Sequence, residues 1–205
     1  MDSFSSLYGA GPLTHVPVPV IVVTNSNVKH KLSGSEYPDR VRQCKEAVEV
    51  IKESFPEVFA LRDATMEMIE EVKHKMSDLS YRRAKHCVTE DKRTLATVQA
   101  LTDGNFAAVG RHMTASHMSL KLDFEVSCPE LDSLVDLALQ MPGVLGSRMT
   151  GGGFGGCTVS LVEPDSVSAF KIQLANGYKR ITGLECTFYE SLPSAGCGRL
   201  SLPLA

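Results

Sequence analysis

The segment Met149-Thr150-Gly151-Gly152-Gly153-Phe154-Gly155-Gly156-Cys157-Thr158 places five glycines in six positions, and it constrains this chain more than any other feature. Glycine takes positive φ freely and lets other groups approach the backbone closely, so such a run folds as a tight loop rather than as helix or strand. The flanks favour β structure: Val144 to Met149 and Cys157 to Val162 both read as strands. Two readings of the loop stay open. It can offer its amide N–H groups to an anion or a neighbouring loop, or it can be an elaborate hairpin turn that needs glycine only for its dihedrals. Two-residue hairpins do not need five glycines, which favours an active-site or phosphate-adjacent loop.

Two nucleotide motifs can be tested against this segment. Gly151, Gly153 and Gly156 satisfy Gly-x-Gly-x-x-Gly, but a dinucleotide fingerprint opens a helix whose amino terminus holds the pyrophosphate, whereas Cys157 to Val162 reads as a strand. No Gly-x-x-x-x-Gly-Lys-Ser/Thr sequence occurs, so the P-loop class fails too. From the residues alone, the loop is anion-friendly or closely packed.

The rest of the chain fits an α+β domain. Val16 to Thr24, rich in β-branched residues, predicts a buried strand whose start is limited by Pro17 and Pro19. Beyond Ser35, Val41, Cys44, Val48 and Ile51 recur at helical spacing. Further helices are predicted over Thr65 to Met76, from Leu79 to Leu101, from the Asn105 cap through Phe106, Val109 and Met113, and from Pro129 through Leu131, Leu134, Val135 and Ala138. Val167, Phe170 and Leu174 place one more helix before a last strand, Glu185 to Glu190. The expected architecture is an antiparallel sheet covered by helices.

Charge and cysteine usage exclude several function classes. With 21 basic against 24 acidic residues, net -3, there is no concentrated positive surface for nucleic acid. Met1 to Gly11 lacks the basic start and apolar run of a secretory signal, and no stretch of about 18 apolar residues follows, so neither membrane nor export is expected. Six cysteines without Cys-x-x-Cys spacing read as reduced thiols, in keeping with a cytoplasmic setting. His112 and His117, five apart, do not share a helix face, and no zinc motif is present.

The run Gly146-Ser147-Arg148-Met149-Thr150-Gly151-Gly152-Gly153-Phe154-Gly155-Gly156-Cys157 resembles the third motif of the GHMP small-molecule kinases. Three further segments are similar to the galactokinase family in particular: Thr24-Asn25-Ser26-Asn27-Val28-Lys29-His30, Ser35-Glu36-Tyr37-Pro38 with Arg42-Gln43-Cys44, and Phe124-Glu125-Val126-Ser127-Cys128-Pro129-Glu130-Leu131-Asp132. The resemblance covers nearly everything after Pro19. It implies the family's ferredoxin-like carboxyl-terminal domain over 17–205, with 1–16 a remnant of the amino-terminal kinase domain.

The resemblance also implies roles. Galactose and ATP would be the ligands and Mg the metal of a complete family member, whose reaction yields galactose 1-phosphate; an N-acetylgalactosamine kinase or a non-catalytic sugar-binding module are the alternatives. Tyr37 corresponds to a sugar-contacting tyrosine, and Gly151, Gly152, Gly153, Phe154, Gly155 and Gly156 to a cleft loop beside the nucleotide. Lys29, with His30, would approach the nucleotide side. Met1-Asp2-Ser3-Phe4 is similar to the segment that holds the family's catalytic aspartate, which makes Asp2 its counterpart, with Ser3 replacing the family glutamine. The family's early Gly-Glu-His-Thr-Asp-Tyr segment and its serine-rich ATP-phosphate loop occur nowhere in the chain. Phosphoryl transfer rests on positioning and charge neutralisation at the phosphates, so the expectation is of a truncated chain inactive by itself and unable to hold ATP and Mg alone.

Overall fold

The computed structural model describes residues 17–28 and 36–194. Four strands form one antiparallel sheet: β1 (Val20–Asn25), β2 (Val144–Thr150), β3 (Cys157–Val162) and β4 (Thr187–Ser191), in the spatial order β2-β3-β1-β4. Between β1 and β2 lie α1 (Glu36–Ser54), α2 (Met66–Val72), α3 (Asp78–Thr102), α4 (Phe106–Ser119) and α5 (Pro129–Ala138); α6 (Val167–Thr182) joins β3 to β4. This is a βαββαβ ferredoxin-like arrangement whose first crossover has grown to five helices. Strand register is fixed by the run of pairs from Val20↔Val162 to Asn25↔Cys157 and from Ser147↔Ser160 to Thr150↔Cys157.

The helix starts follow from the capping chemistry of the sequence. The side chains of Thr65, Ser77 and Asn105 each accept a first-turn amide, from Met68, Ser80 and Ala108, and Pro129 occupies the first turn of α5, where its missing N–H costs nothing. The apolar positions then divide among layers. Val22 and Val162 bury against Leu134 of α5 and Phe170, Leu174 and Tyr178 of α6 on one face of the sheet. On the other face Leu161 packs with Ala100 of α3 and Ala108 and Val109 of α4. Away from the sheet, Ala47, Ile51, Ile69, Val72, Ala84 and Val88 close a separate core between α1, α2 and the first half of α3.

Several expected boundaries move, each for a local reason. The first strand begins at Val20 rather than Val16, behind the two prolines. The helix expected over Thr65 to Met76 tightens to a 3₁₀ turn over Lys73–Lys75. The last strand starts two residues later, because the Glu185 carbonyl accepts from Asn27 Nδ2 (2.8 Å) rather than joining a ladder. In α1 the deepest line is Gln43, Ala47 and Ile51, not one that includes Val41. Gln43 is buried because its Oε1 accepts from the equally buried Arg83 (2.8 Å), a polar pair that hydrophobic periodicity cannot detect. A π-helical turn, Leu120–Phe124, follows α4 and closes on Glu125 at φ 55°; no sequence pattern anticipated it.

Candidate functional site

The glycine loop is the connection of the β2–β3 hairpin: Thr150 and Cys157, its two ends, are paired across the ladder. Hairpin geometry is thus present, but the loop is also knitted to three other segments. The Phe154 amide donates to the Val126 carbonyl (2.7 Å), the Gly156 amide to Val28 (3.3 Å), and the Gly156 carbonyl accepts from the Ser26 amide (2.9 Å) and from Ser26 Oγ (2.7 Å). Gly153 lies so close to the 126 peptide that an added Cβ would sit 2.0 Å from its carbonyl oxygen, at φ +84°. Gly151 and Gly152 are exposed at the tip, whereas Gly153 and Gly155 are buried. The inner half of the loop is therefore anchored backbone to backbone, and the outer half presents backbone to solvent.

The segment that follows β1 supplies part of this anchor. Ser26 is fully buried, and its carbonyl accepts from Tyr178 Oη of α6 (2.9 Å). Asn27, at φ +58°, turns the chain out of the sheet with its amide bonded to Asn25 Oδ1 (2.9 Å). The positive φ that Asn tolerates better than most residues explains its place here. Lys29 and His30, which follow directly, lie outside the described residues, as does Asp2.

Tyr37 sits in the first turn of α1, 77% exposed. The same turn is fastened to the loop's neighbourhood by Arg40, whose Nε and Nη2 donate to the carbonyls of Phe124 and Glu125 (both 2.7 Å). Since Val126 in turn holds Phe154, two steps of hydrogen bonding connect the helix that bears Tyr37 to the glycine loop. The loop and the start of α1 are linked in this way, while the tyrosine side chain itself points into a shallow groove along α1 with Val41 and Lys45.

Two charged networks brace this region. Glu125 bridges Arg82 (2.6 Å) and Arg83 (2.7 Å), and these guanidinium partners hold its carboxyl below the usual carboxylate range. Arg83 is 1% exposed, and it remains compensated because it also donates to Gln43 and to the Asp123 carbonyl. A buried cation needs such a full set of acceptors. Behind the loop, His117 Nδ1 accepts from the Met149 amide (3.2 Å), which leaves the ring proton on Nε2, 3.3 Å from Asp132 Oδ1 though poorly aligned for a hydrogen bond. Burial works against the Asp132 charge, but His117, Ser127 (2.6 Å) and Lys121 (3.1 Å) outweigh it and bring the carboxyl down to about 2.

Arg40, His117, Glu125 and Asp132 were not among the residues singled out by sequence. Arg40 stands one helical turn after Tyr37, the only sequence hint any of them offers; the partners of the other three come from elements distant in the chain. Among the described residues no cluster of three or more His, Cys, Asp or Glu is arranged to hold a metal, so the described part offers no ligand set for Mg. What it offers chemically is a backbone-lined loop tip on a rigid base, beside a helix start that carries an exposed phenol.

The ferredoxin-like topology, with a glycine-rich β2–β3 connection braced by a buried His–Asp pair, defines the carboxyl-terminal domain of the small-molecule kinases, and residues 97–180 match the family model described as GHMP kinases C terminal. The chain belongs to the GHMP kinases and, within them, to the galactokinase family: it is 46% identical to the galactokinase of Homo sapiens over 187 residues, 91% of this chain and 45% of that protein. It is also 46% identical to the galactokinase of Chloroflexus aurantiacus (83% of this chain, 45% of the relative) and 40% identical to that of Roseiflexus sp. (98% and 51%). A solved structure of Lactococcus lactis galactokinase complexed with galactose superposes with a TM-score of 0.80 at 35% identity, over 85% of this chain and 45% of that one. The chain thus spans about half the length of the curated relatives it matches.

Proposed function

We propose that this chain supplies one wall of a galactokinase cleft, in which ATP phosphorylates galactose to galactose 1-phosphate. The observation that carries the reading is the joint one of 46% identity to a galactokinase over 91% of the chain and a TM-score of 0.80 to a galactokinase that holds galactose. On this reading Tyr37 contacts the sugar, with a rigid phenol tip that makes one hydrogen bond at modest entropic cost. The exposed tip of the 151–156 loop lies along the nucleotide, where bare amides approach phosphate oxygens without side-chain interference. Lys29 lies on the nucleotide side, and Asp2 stands where the family's carboxylate accepts the proton of the attacking sugar hydroxyl. When bound, ATP supplies the phosphoryl group and Mg the charge neutralisation; the residues for that metal belong to the other wall. The setting proposed is the cytoplasm, which is consistent with the absence, among the described residues, of any helix long and apolar enough to cross a membrane.

An ADP-release assay with galactose tests the proposal. The chain alone is expected to show no turnover, and a polypeptide carrying the Gly-Glu-His-Thr-Asp-Tyr segment and the serine-rich phosphate loop is expected to restore it when mixed in. Turnover by the chain alone at the rate of a complete galactokinase would overturn the single-wall reading. Calorimetric titration separates the remaining outcome, galactose binding without transfer, which would point to a sugar-binding module. Substituting N-acetylgalactosamine in the restored assay checks the sugar.

A further inference from the structure

The α1–α3 contact holds a pair of thiols that none of the proposed chemistry uses. Gln43 bonds to Arg83, and Glu46 Oε2 accepts from Ser80 Oγ (3.1 Å), so as α1 advances α3 recedes: the two helices run antiparallel. Ala47 and Ala84 are both fully buried between them, and two such small side chains let the helix backbones come close. Cys44 lies three residues before Ala47, and Cys87 three residues after Ala84. In an antiparallel pair that places the two cysteines opposite each other across the seam. Their thiols indeed hydrogen-bond to one another, and both are half-buried free thiols rather than sealed in the core.

We propose that Cys44 and Cys87 form an oxidative modification site, at which a peroxide converts the two contacting thiols into a disulfide that staples α1 to α3. The roles of the two sulfurs differ. Cys87 donates to Cys44, and the guanidinium groups of Arg83 and Arg40 add to that donation, so Cys44 is the one biased toward thiolate; its partner is pushed the other way and keeps its proton. In the first step the Cys44 sulfur attacks one peroxide oxygen and the O–O bond breaks. Sulfur is oxidised to a sulfenic acid, and the second oxygen leaves as hydroxide and takes up a proton as water. In the second step the Cys87 sulfur attacks the Cys44 sulfur, the S–S bond forms as the S–O bond breaks, and the departing hydroxide leaves with the Cys87 proton as a second water. The sum is two thiols and one peroxide giving one disulfide and two waters. A disulfide requires a Cα separation of about 4.4–6.8 Å, the range that close-packed antiparallel helices reach at facing positions. Transient bridges of this kind are the form disulfides usually take in reducing compartments. The staple would act on the helix that carries Tyr37 and Arg40, next to the arginine pair that holds Glu125.

The test uses the 205-residue chain under native conditions. Hydrogen peroxide is added, remaining thiols are blocked with N-ethylmaleimide, and the digest is analysed by mass spectrometry. The expected result is a linked peptide pair joining Cys44 to Cys87, lighter than the two free peptides by two hydrogen atoms and abolished by dithiothreitol. In Cys87→Ser, dimedone should label Cys44, because the sulfenic acid has lost its resolving thiol; in Cys44→Ser, neither the linkage nor dimedone label at Cys87 should appear. Circular dichroism melts confirm that each variant is folded before it is scored. Recovery of both cysteines as maleimide adducts after peroxide treatment, linkage of either to another cysteine instead, or an unlabelled Cys44 in folded Cys87→Ser would each overturn the proposal. None of these readouts depends on sugar or ATP, so the result stands apart from the kinase reading.

Discussion

Glycine is used in two different ways at the two ends of β2. At the upstream end, Gly146 of β2 faces Gly110 of α4, and a Cβ on either would land 2.1 Å or less from a backbone oxygen of the other element. There the helix lies directly on the strand, and the reason for glycine is space, not dihedral angle. At the downstream end, Gly151 stands at φ +81° with nothing within 4 Å of a would-be Cβ, so only the left-handed backbone requires it. Gly153, between these extremes, needs both. The comparison teaches that a run of glycines marks a special loop, whereas an isolated pair can mark a tighter constraint that leaves no trace in local sequence.

Substitutions to alanine sharpen the contrast. Gly146→Ala should have the largest effect, about 3 kcal/mol of lost stability in urea unfolding, because the clash is with backbone that cannot rotate away. Gly153→Ala should cost about 2–3 kcal/mol, combining left-handed strain with the Val126 contact, and should also free the loop base to hydrogen exchange at Phe154. Equal stability of Gly146→Ala and wild type would break the comparison at its stronger end.

A smaller effect comes from the support beneath the loop. Asp132, held at about 2 against a usual 3.8, contributes stability that is present above pH 4 and is lost as the pH falls through the folded value. Asp132→Asn should therefore cost about 1 kcal/mol at neutral pH, after allowance for solvent screening of a partly exposed network, and should flatten the acid limb of the stability profile between pH 4 and 2. An unchanged acid limb would show that the carboxylate does not brace β2 through His117. The smallest change is expected for Gly151→Ala, about 1 kcal/mol and no altered exchange at the loop base, since its surroundings are open. A larger loss there would mean that the tip is packed rather than presented.

The positions of the helices were legible because their caps and apolar spacing are local. Thr65, Asn105 and Pro129 each announce a helix start within four residues, and the structure places α2, α4 and α5 accordingly. The inward face of α1 was misread, with Val41 taken as inward-facing and Gln43 missed, because burial of an amide depends on an arginine 40 residues away. Of the site, the glycine run and the start of α1 were visible in the sequence as motifs. Arg40, Glu125, His117 and Asp132 were not, since their partners come from other elements and one of them, Glu125, sits in a left-handed conformation that no local pattern demands.

The sequence by itself determined the order of strands and helices, the glycine connection between β2 and β3, and the similarity to a kinase family, because each is written in contiguous residues. Only the tertiary structure decided which backbone carbonyl meets the loop, that α4 touches β2 through paired glycines, and that two thiols 43 positions apart lie in contact. The physical reason is range. Dihedral preference and amphipathic spacing act over a few residues, whereas close packing and the compensation of buried charge are settled only when distant segments are brought together.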